Sequence, residues 1–251
     1  MIRLRWLAAA TVLASFLGIL LLTSCDEAEA PEVTPSQTVG PSATVVVPAI
    51  VIESPNGGDT VSVPVKVSGT ASVFEGTLIV TMKDSRGNSL CHVVAQASEG
   101  APGRGDFAVE FSFAPPAASM EGRVEAYTES AKDGSVEDLV SVPLTISADQ
   151  PPIVLTSPQC NQEITSPLLV EGTASVFEGA IIIVVKDWTG RELARTPVQA
   201  LAAAPERGAF SQEITFTPPD VPQPGTIEAF SDDPQDGSVI NLFSVPVVLT
   251  P

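Results

Sequence analysis

Most of this chain consists of two copies of one repeated sequence. Residues 50–146 align with residues 153–249 at a constant offset of 103, without a gap, and about 40 of the 97 aligned positions are identical. The longest shared block is Gly-Thr-Ala-Ser-Val-Phe-Glu-Gly, at 69–76 and again at 172–179. This period is too long for a solenoid unit and matches one β-sandwich of about 100 residues. The repeat therefore predicts two tandem domains of one fold.

Both copies carry the patterns of strands and hairpin turns. Residues 61–67 alternate apolar with polar or small side chains, and residues 107–113 place Phe107, Val109, Phe111 and Phe113 on one face. Gln212 interrupts that face in the second copy, so we expect a half-exposed end there. Turns with Asp and Gly separate the strands. We predict an all-β chain with two tandem immunoglobulin-like β-sandwiches, domain 1 at 49–148 and domain 2 at 152–251.

The N-terminal segment has the organisation of a lipoprotein signal peptide. Arg3 and Arg5 precede an apolar run at 7–22, which is too short for a comfortable membrane span. Leu-Thr-Ser-Cys at 22–25 then resembles the bacterial lipobox, in which the cysteine thiol receives diacylglycerol before cleavage. We predict a signal peptide at 1–24 and lipidation of Cys25. An ordinary secretory signal and an uncleaved anchor are the alternatives.

Residues 25–48 predict a flexible tether. The segment is rich in Pro, Thr, Ser, Ala and Glu and lacks aromatic residues, so it cannot bury enough apolar surface to fold. Removal of residues 1–24 would take away two of the 12 basic residues and none of the 30 acidic ones, which changes the formal net charge from −18 to −20. Such a charge argues against nucleic acid as a partner and against electrostatic attraction to anionic lipid. We expect attachment to the membrane through the N-terminal lipid alone.

The repeated motifs resemble a known family. Each copy reads Gly-Thr-Ala-Ser-Val-Phe-Glu-Gly, an apolar strand, Lys-Asp-x-x-Gly, a later Gly-x-Phe, and Asp-Gly-Ser before Ser-Val-Pro. This order is similar to the bacterial spore germination immunoglobulin-like domain, over residues 50–146 and 153–249. The resemblance implies an extracytoplasmic accessory module without catalytic residues. Neither copy holds a cysteine pair, and Trp188 falls in a turn, so only the sandwich architecture is implied and not the antibody subtype.

The candidate binding residues are Phe74 with Glu75 and, in the second copy, Phe177 with Glu178. The structural interpretation buries both Phe rings in the core and lets the carboxylates accept hydrogen bonds from loop amides. The functional interpretation makes each loop a recognition site at one end of its sandwich, because rigid scaffolds often carry binding on loops.

Other chemistry finds little support in the sequence. His92 is the single histidine, and it cannot form a dyad with Cys91 because adjacent strand residues point to opposite faces. Asp84 with Asp133, and Asp187 with Asp236, predict turn capping, with calcium as the alternative. Cys91 and Cys160 lie one in each copy, so two unpaired thiols are expected and an interdomain disulfide is the alternative.

These observations predict a non-catalytic, lipid-anchored module on the extracytoplasmic face of a bacterial cell membrane, without a cofactor or a bound metal. We expect it to hold an unknown protein or cell-wall polymer partner near the membrane. The alternative is a lipoprotein that captures a cation or a small glycan at the domain-end loops. A polar, concave site at the Val-Phe-Glu-Gly loop would favour that alternative.

Overall fold

The computed structural model describes residues 47–251, and the predicted signal peptide, Cys25 and almost all of the tether lie outside this range. Domain 1 contains eight strands: β1 (Ile50–Ser54), β2 (Thr60–Val61), β3 (Val65–Ala71), β4 (Thr77–Asp84), β5 (Ser89–Gln96), β6 (Gly105–Phe111), β7 (Met120–Glu129) and β8 (Val136–Ile146). Domain 2 repeats them: β9 (Ile153–Ser157), β10 (Glu163–Ile164), β11 (Leu168–Ala174), β12 (Ala180–Asp187), β13 (Glu192–Gln199), β14 (Gly208–Ile214), β15 (Gln223–Asp232) and β16 (Val239–Leu249). The short helical turns Phe74–Gly76 and Phe177–Gly179 are the only helical elements of the described residues.

Each domain is a sandwich of a three-stranded and a five-stranded sheet. In domain 1 the strand orders are β1-β3-β6 and β2-β8-β7-β4-β5, and domain 2 has β9-β11-β14 and β10-β16-β15-β12-β13. The pairings are antiparallel except for the short parallel contacts of β2 with β8 and of β10 with β16. The predicted all-β fold with two tandem sandwiches is confirmed.

The alternating patterns bury the side chains that they predict. Phe107, Phe111 and Phe113 are buried in domain 1, and Gln212 is half-buried on the corresponding strand of domain 2. Gly69 of the shared motif lies against the Phe107 ring, and a Cβ atom there would stand 2.0 Å from the carbonyl oxygen of Val51. Only glycine fits between β1 and that ring, which explains why the motif begins with this residue.

The two domains contact each other through an interdomain joint, whose residues differ between the two copies of the repeat. Cys91 of β5 and Cys160, which follows β9, form a disulfide with 5.2 Å between their Cα atoms. Next to it the side-chain amide of Asn161 accepts a hydrogen bond from the His92 N–H at 2.9 Å and donates one to the His92 carbonyl at 3.0 Å. The expectation of two unpaired thiols is wrong, because the fold brings these two positions together.

Each cysteine of the joint, and Asn161, is replaced by a different residue at the equivalent position of the other copy. At the offset of 103, Cys91 corresponds to Ala194, and Cys160 and Asn161 correspond to Gly57 and Gly58. Asn161 keeps the left-handed backbone of its glycine counterpart, with φ of 61° against 87° at Gly58. Asn tolerates this conformation better than most residues do. The joint therefore pairs one specific edge of domain 1 with one specific loop of domain 2.

Candidate functional site

The Val-Phe-Glu-Gly loops, residues 73–76 and 176–179, connect the third and fourth strands of each domain. Phe74–Gly76 and Phe177–Gly179 each form a single helical turn. Glu75 and Glu178 have φ of 52°, and the following glycines also have positive φ. The loops thus have the same backbone in both domains, including a left-handed conformation at a residue with a side chain.

Equivalent hydrogen bonds hold the two loops. In domain 1 the Gly76 and Ala101 N–H groups donate to the Val73 carbonyl at 3.0 and 2.8 Å, and the Ala97 N–H donates to the Gly76 carbonyl at 2.8 Å. The Gln96 side-chain amide donates to the Glu75 carbonyl at 2.6 Å. All four bonds recur 103 residues later in domain 2. The loop is therefore a fixed part of the scaffold.

The fixed loop presents its aromatic ring to solvent. Phe74 is 80% exposed and Phe177 is 64% exposed, whereas the preceding Val73 and Val176 are each 3% exposed. The prediction that both Phe rings are buried in the core is wrong. The helical turn directs the valine inward and leaves the adjacent phenylalanine outside, so the valine fills the core position that the sequence suggested for the ring.

The carboxylates of Glu75 and Glu178 do not accept the hydrogen bonds from loop amides that the structural interpretation expected. Among the hydrogen bonds of residues 47–251, none involves the carboxylate of Glu75 or Glu178; their backbone carbonyls are the groups that the loop uses. A left-handed backbone costs a residue with a side chain roughly 1–2 kcal/mol. Such strain is typically found at functional sites. Both loops accept it without an internal bond to the carboxylate.

A row of apolar side chains on the outer face of the five-stranded sheet lies beside each loop. In domain 1 Ile79 is paired with Val94 on one side and with Tyr127 on the other. In domain 2 Ile182 takes the same position between Pro197 and Phe230.

Phe177 borders a shallow pocket of about 320 Å³ in this region, together with Ile182, Pro197 and Asp232. The exposed ring thus continues an apolar surface with an acidic margin and does not close a polar cavity.

The acidic turns act as caps, as predicted. Asp133 accepts hydrogen bonds from the N–H and the hydroxyl of Ser135 at 3.1 and 2.7 Å, which lowers the pKa of its carboxyl. The Thr189 hydroxyl, together with the Arg191 side chain and loop amides, lowers the pKa of Asp187 against the smaller opposing effect of burial.

The two aspartates that were considered as calcium ligands in domain 1 are far apart. Asp84 pairs with Gly122 near the start of β7, whereas Asp133 follows the end of that strand at Glu129. Seven residues of strand span roughly 23 Å, so the two carboxylates cannot bind one ion. Within residues 47–251 no group of three or more metal-ligating side chains converges.

His92 and Cys91 lie as predicted on opposite faces of β5, with the Cys91 side chain buried and the imidazole exposed. The sequence analysis kept the interdomain disulfide only as an alternative and did not predict the hydrogen bonds of Asn161 to His92. The available signal was the difference between the copies, since both cysteines outside the predicted lipidation site stand where the other copy has alanine or glycine.

Solved structures that match this chain do so with low sequence identity and low TM-scores. Fibronectin(III)-like modules of Clostridium thermocellum CbhA are 14% identical, with a TM-score of 0.25 over 80% of this chain and 94% of that one. A biofilm-associated protein BSP domain and dimeric latent PorU from Porphyromonas gingivalis are each 11% identical, with TM-scores of 0.25 and 0.28. This chain covers 80% and 81% of its own length in those matches but spans only 29% and 24% of theirs. No curated protein matches the chain.

The family comparison is specific. The family described as the immunoglobulin-like domain of bacterial spore germination matches residues 49–135 and again residues 152–238. These two matches cover more than half of the chain; each begins at the start of one sandwich and ends just before its last strand, β8 or β16. The chain therefore belongs to the family of bacterial spore germination immunoglobulin-like domains, of which it carries two copies.

Proposed function

We propose that this chain is a lipid-anchored, extracytoplasmic interaction module that binds a protein or cell-wall polymer partner through its two Val-Phe-Glu-Gly loops. One observation carries the proposal: an aromatic ring is exposed on the same rigid loop in both domains. A buried ring would have had a structural role. An exposed ring on a fixed loop offers a large apolar contact at low entropic cost, which is typical of binding sites.

The arrangement supports two-point binding. Tandem immunoglobulin-like domains are consistent with a non-catalytic structural or interaction module. The disulfide and the bonds of Asn161 to His92 join the domains, so the two loops are held on one unit. A partner with a repeated surface could engage both loops, and the second contact would then form within the same complex at a high effective concentration.

The lipid anchor is supported by the sequence. Leu-Thr-Ser-Cys at 22–25 follows a basic start and an apolar run, and Cys25 is the residue to which the lipid would be attached. In the described part of the chain, no helix has the length and apolar character that a membrane crossing requires.

The alternative of a cation or small-glycan site at the domain ends gains no specific support. The loop presents a protruding ring, and the carboxylates nearest to it form no converging group among the described residues. An apolar contact surface with an acidic margin fits a protein partner better than it fits an ion.

Photo-crosslinking tests the proposal directly. Benzoylphenylalanine at position 74 or 177 of the lipid-anchored chain should give crosslinked products in intact cells. The same group at Leu169, on the three-stranded sheet of domain 2, should give few, and Leu169 is a suitable control because this residue is 49% exposed. Crosslinking should persist when the cells carry the Cys91→Ala variant, since the loops themselves are unchanged.

The variant Phe74→Ala with Phe177→Ala supplies the second measurement. It should melt like the parent chain. When the crosslinking group is placed at a third position of the loop, such as Glu75, the double variant should no longer crosslink the partner. Equal crosslinking at position 169 and at the loops, or an undiminished partner in the double variant, would show that the loops are not the binding site.

A further inference from the structure

Strand β5 forms an open edge of the five-stranded sheet of domain 1. Among the strands of residues 47–251 it pairs only with β4, with His92 opposite Thr81 and Val94 opposite Ile79. The side-chain amide of Asn161 bonds to the N–H and the carbonyl of His92, so these backbone groups point away from β4. In an antiparallel pair, the backbone N–H and carbonyl groups of every second residue point to the same side of the strand. The N–H and carbonyl of Val94 therefore point outward too, next to the position that Asn161 already occupies.

Domain 2 protects the same edge, and domain 1 does not. Pro197 stands at the position of Val94, and a proline has no N–H to offer to another strand. Arg195 stands at the position of His92 and is paired with Glu192 at 2.6 Å. Charges and proline are common means of preventing edge pairing. Val94, in contrast, is an uncharged side chain that is 66% exposed.

The open edge faces a cleft between the domains. Val94 and Glu110 of domain 1 line it together with Trp188 and Glu228 of domain 2, and its volume is about 600 Å³. Trp188 is 69% exposed, and Glu228 forms an ion pair with Lys186 at 2.6 Å. Glu110 is likewise paired with Lys66 at 3.4 Å. The lining holds three carboxylates, those of Glu110, Asp187 and Glu228, against one lysine, Lys186. An apolar side chain and a large aromatic ring thus lie close to an excess of carboxylates, in a chain of formal net charge −18.

We propose that the edge of β5 at Val94 binds an extended segment of a partner polypeptide by strand addition, and that the segment alternates apolar with basic side chains. Its backbone would continue the ladder that Asn161 begins at His92. Its apolar side chains would contact Val94 and Trp188, and its basic side chains would lie near Glu110 and Glu228. Backbone hydrogen bonds supply affinity in this mode, and alternate side chains supply specificity. Val94 also belongs to the apolar row of the outer face, but this proposal rests on the backbone groups of Val94 and on the cleft, whereas the loop proposal rests on the exposed Phe74 and Phe177 rings.

Domain 2 suggests the variant that tests the proposal. Val94→Pro copies the residue that the same fold carries at position 197 and removes only an outward N–H, so the variant should melt like the parent chain. Val94→Thr keeps the N–H and is the matched control. The probe is a fluorescent ten-residue peptide of alternating valine and lysine, titrated against the full chain in detergent micelles. The same peptide with alternate backbone N-methylation keeps the side chains but cannot pair as a strand.

The parent chain and Val94→Thr should bind the probe, and Val94→Pro should bind it at least ten-fold more weakly. The N-methylated peptide, and a version with glutamate in place of lysine, should show the same loss on the parent chain. The Val94 amide should exchange rapidly in the free chain and slow down when the probe is added.

Absence of binding to the parent chain, or equal binding of the N-methylated peptide, would overturn the proposal even if Val94→Pro failed to fold. A concentration-dependent dimer that Val94→Pro abolishes would identify a second copy of this chain as the occupant and would also overturn it. Phe74→Ala with Phe177→Ala should leave probe binding unchanged, so a failure here is distinguishable from a failure of the loop proposal.

Discussion

Two adjacent residues of one loop should differ sharply in their contribution to stability. Val73 is 3% exposed and Phe74 is 80% exposed. Val73→Ala removes two buried methyl groups, which costs about 1.6 kcal/mol of transfer free energy at 0.8 kcal/mol for each group. The cavity adds to this cost, and we expect a loss of about 2–3 kcal/mol in the free energy of unfolding. Phe74→Ala removes a ring that is already in water, so its cost should stay within about 0.5 kcal/mol.

The assay is differential scanning calorimetry of the two single variants beside the parent chain. In a domain of about 100 residues, 1 kcal/mol corresponds to roughly 4–8 °C, so Val73→Ala should lower the melting temperature of domain 1 by about 8–24 °C. Phe74→Ala should lower it by no more than about 4 °C. Val176→Ala and Phe177→Ala repeat the contrast in domain 2. If Phe74→Ala were as costly as Val73→Ala, the ring would be buried and the loop proposal would lose its basis.

Four further variants test the anchor, the turns and the joint. Cys25→Ser should abolish metabolic labelling with a fatty acid and move the chain out of the membrane fraction; normal labelling of the variant would contradict the lipobox assignment. Asp133→Asn should be nearly silent because an amide oxygen can still accept from Ser135, whereas Gly134→Val should be clearly destabilising because Gly134 has φ of 72°. Millimolar calcium should not shift the melting temperature of the parent chain, and a shift that Asp133→Asn removes would restore the calcium alternative. Cys91→Ala copies Ala194 and opens a bridge between residues 69 apart, which should remove up to about 4 kcal/mol of chain-entropy stabilisation. A reductant should lower the melting temperature of the parent chain and leave that of Cys91→Ala unchanged.

The fold was largely predictable from the sequence because its signals are local. The alternation that buries Phe107 and Phe111, and the Asp-Gly turns, arise from neighbouring residues. Because the repeat has no gap, a strand or turn that is recognised in one copy is expected at the equivalent position of the other. Even the opposite directions of Cys91 and His92 followed from the period of two along a strand.

The orientation of the loop could not be predicted in the same way. Val73 and Phe74 are both apolar neighbours, and the choice of which one points inward depends on the left-handed backbone at Glu75. Glutamate rarely adopts that conformation, so no pattern in the sequence announces it. The disulfide remained only an alternative for a different reason, since its two cysteines come together only after the two domains pack.

The differences between the copies separate two kinds of function. Positions 73–76 are identical to 176–179, down to the hydrogen bonds that hold them, as expected if both domains offer the same contact. The two β5-type edges, in contrast, carry Cys91, His92 and Val94 in one copy and Ala194, Arg195 and Pro197 in the other. One edge is bridged and left open beside a cleft, while its counterpart is closed by charge and proline. The proposed strand addition therefore applies to the edge of domain 1 alone, and Val94→Pro, which copies the proline of the other copy, is the change that tests it.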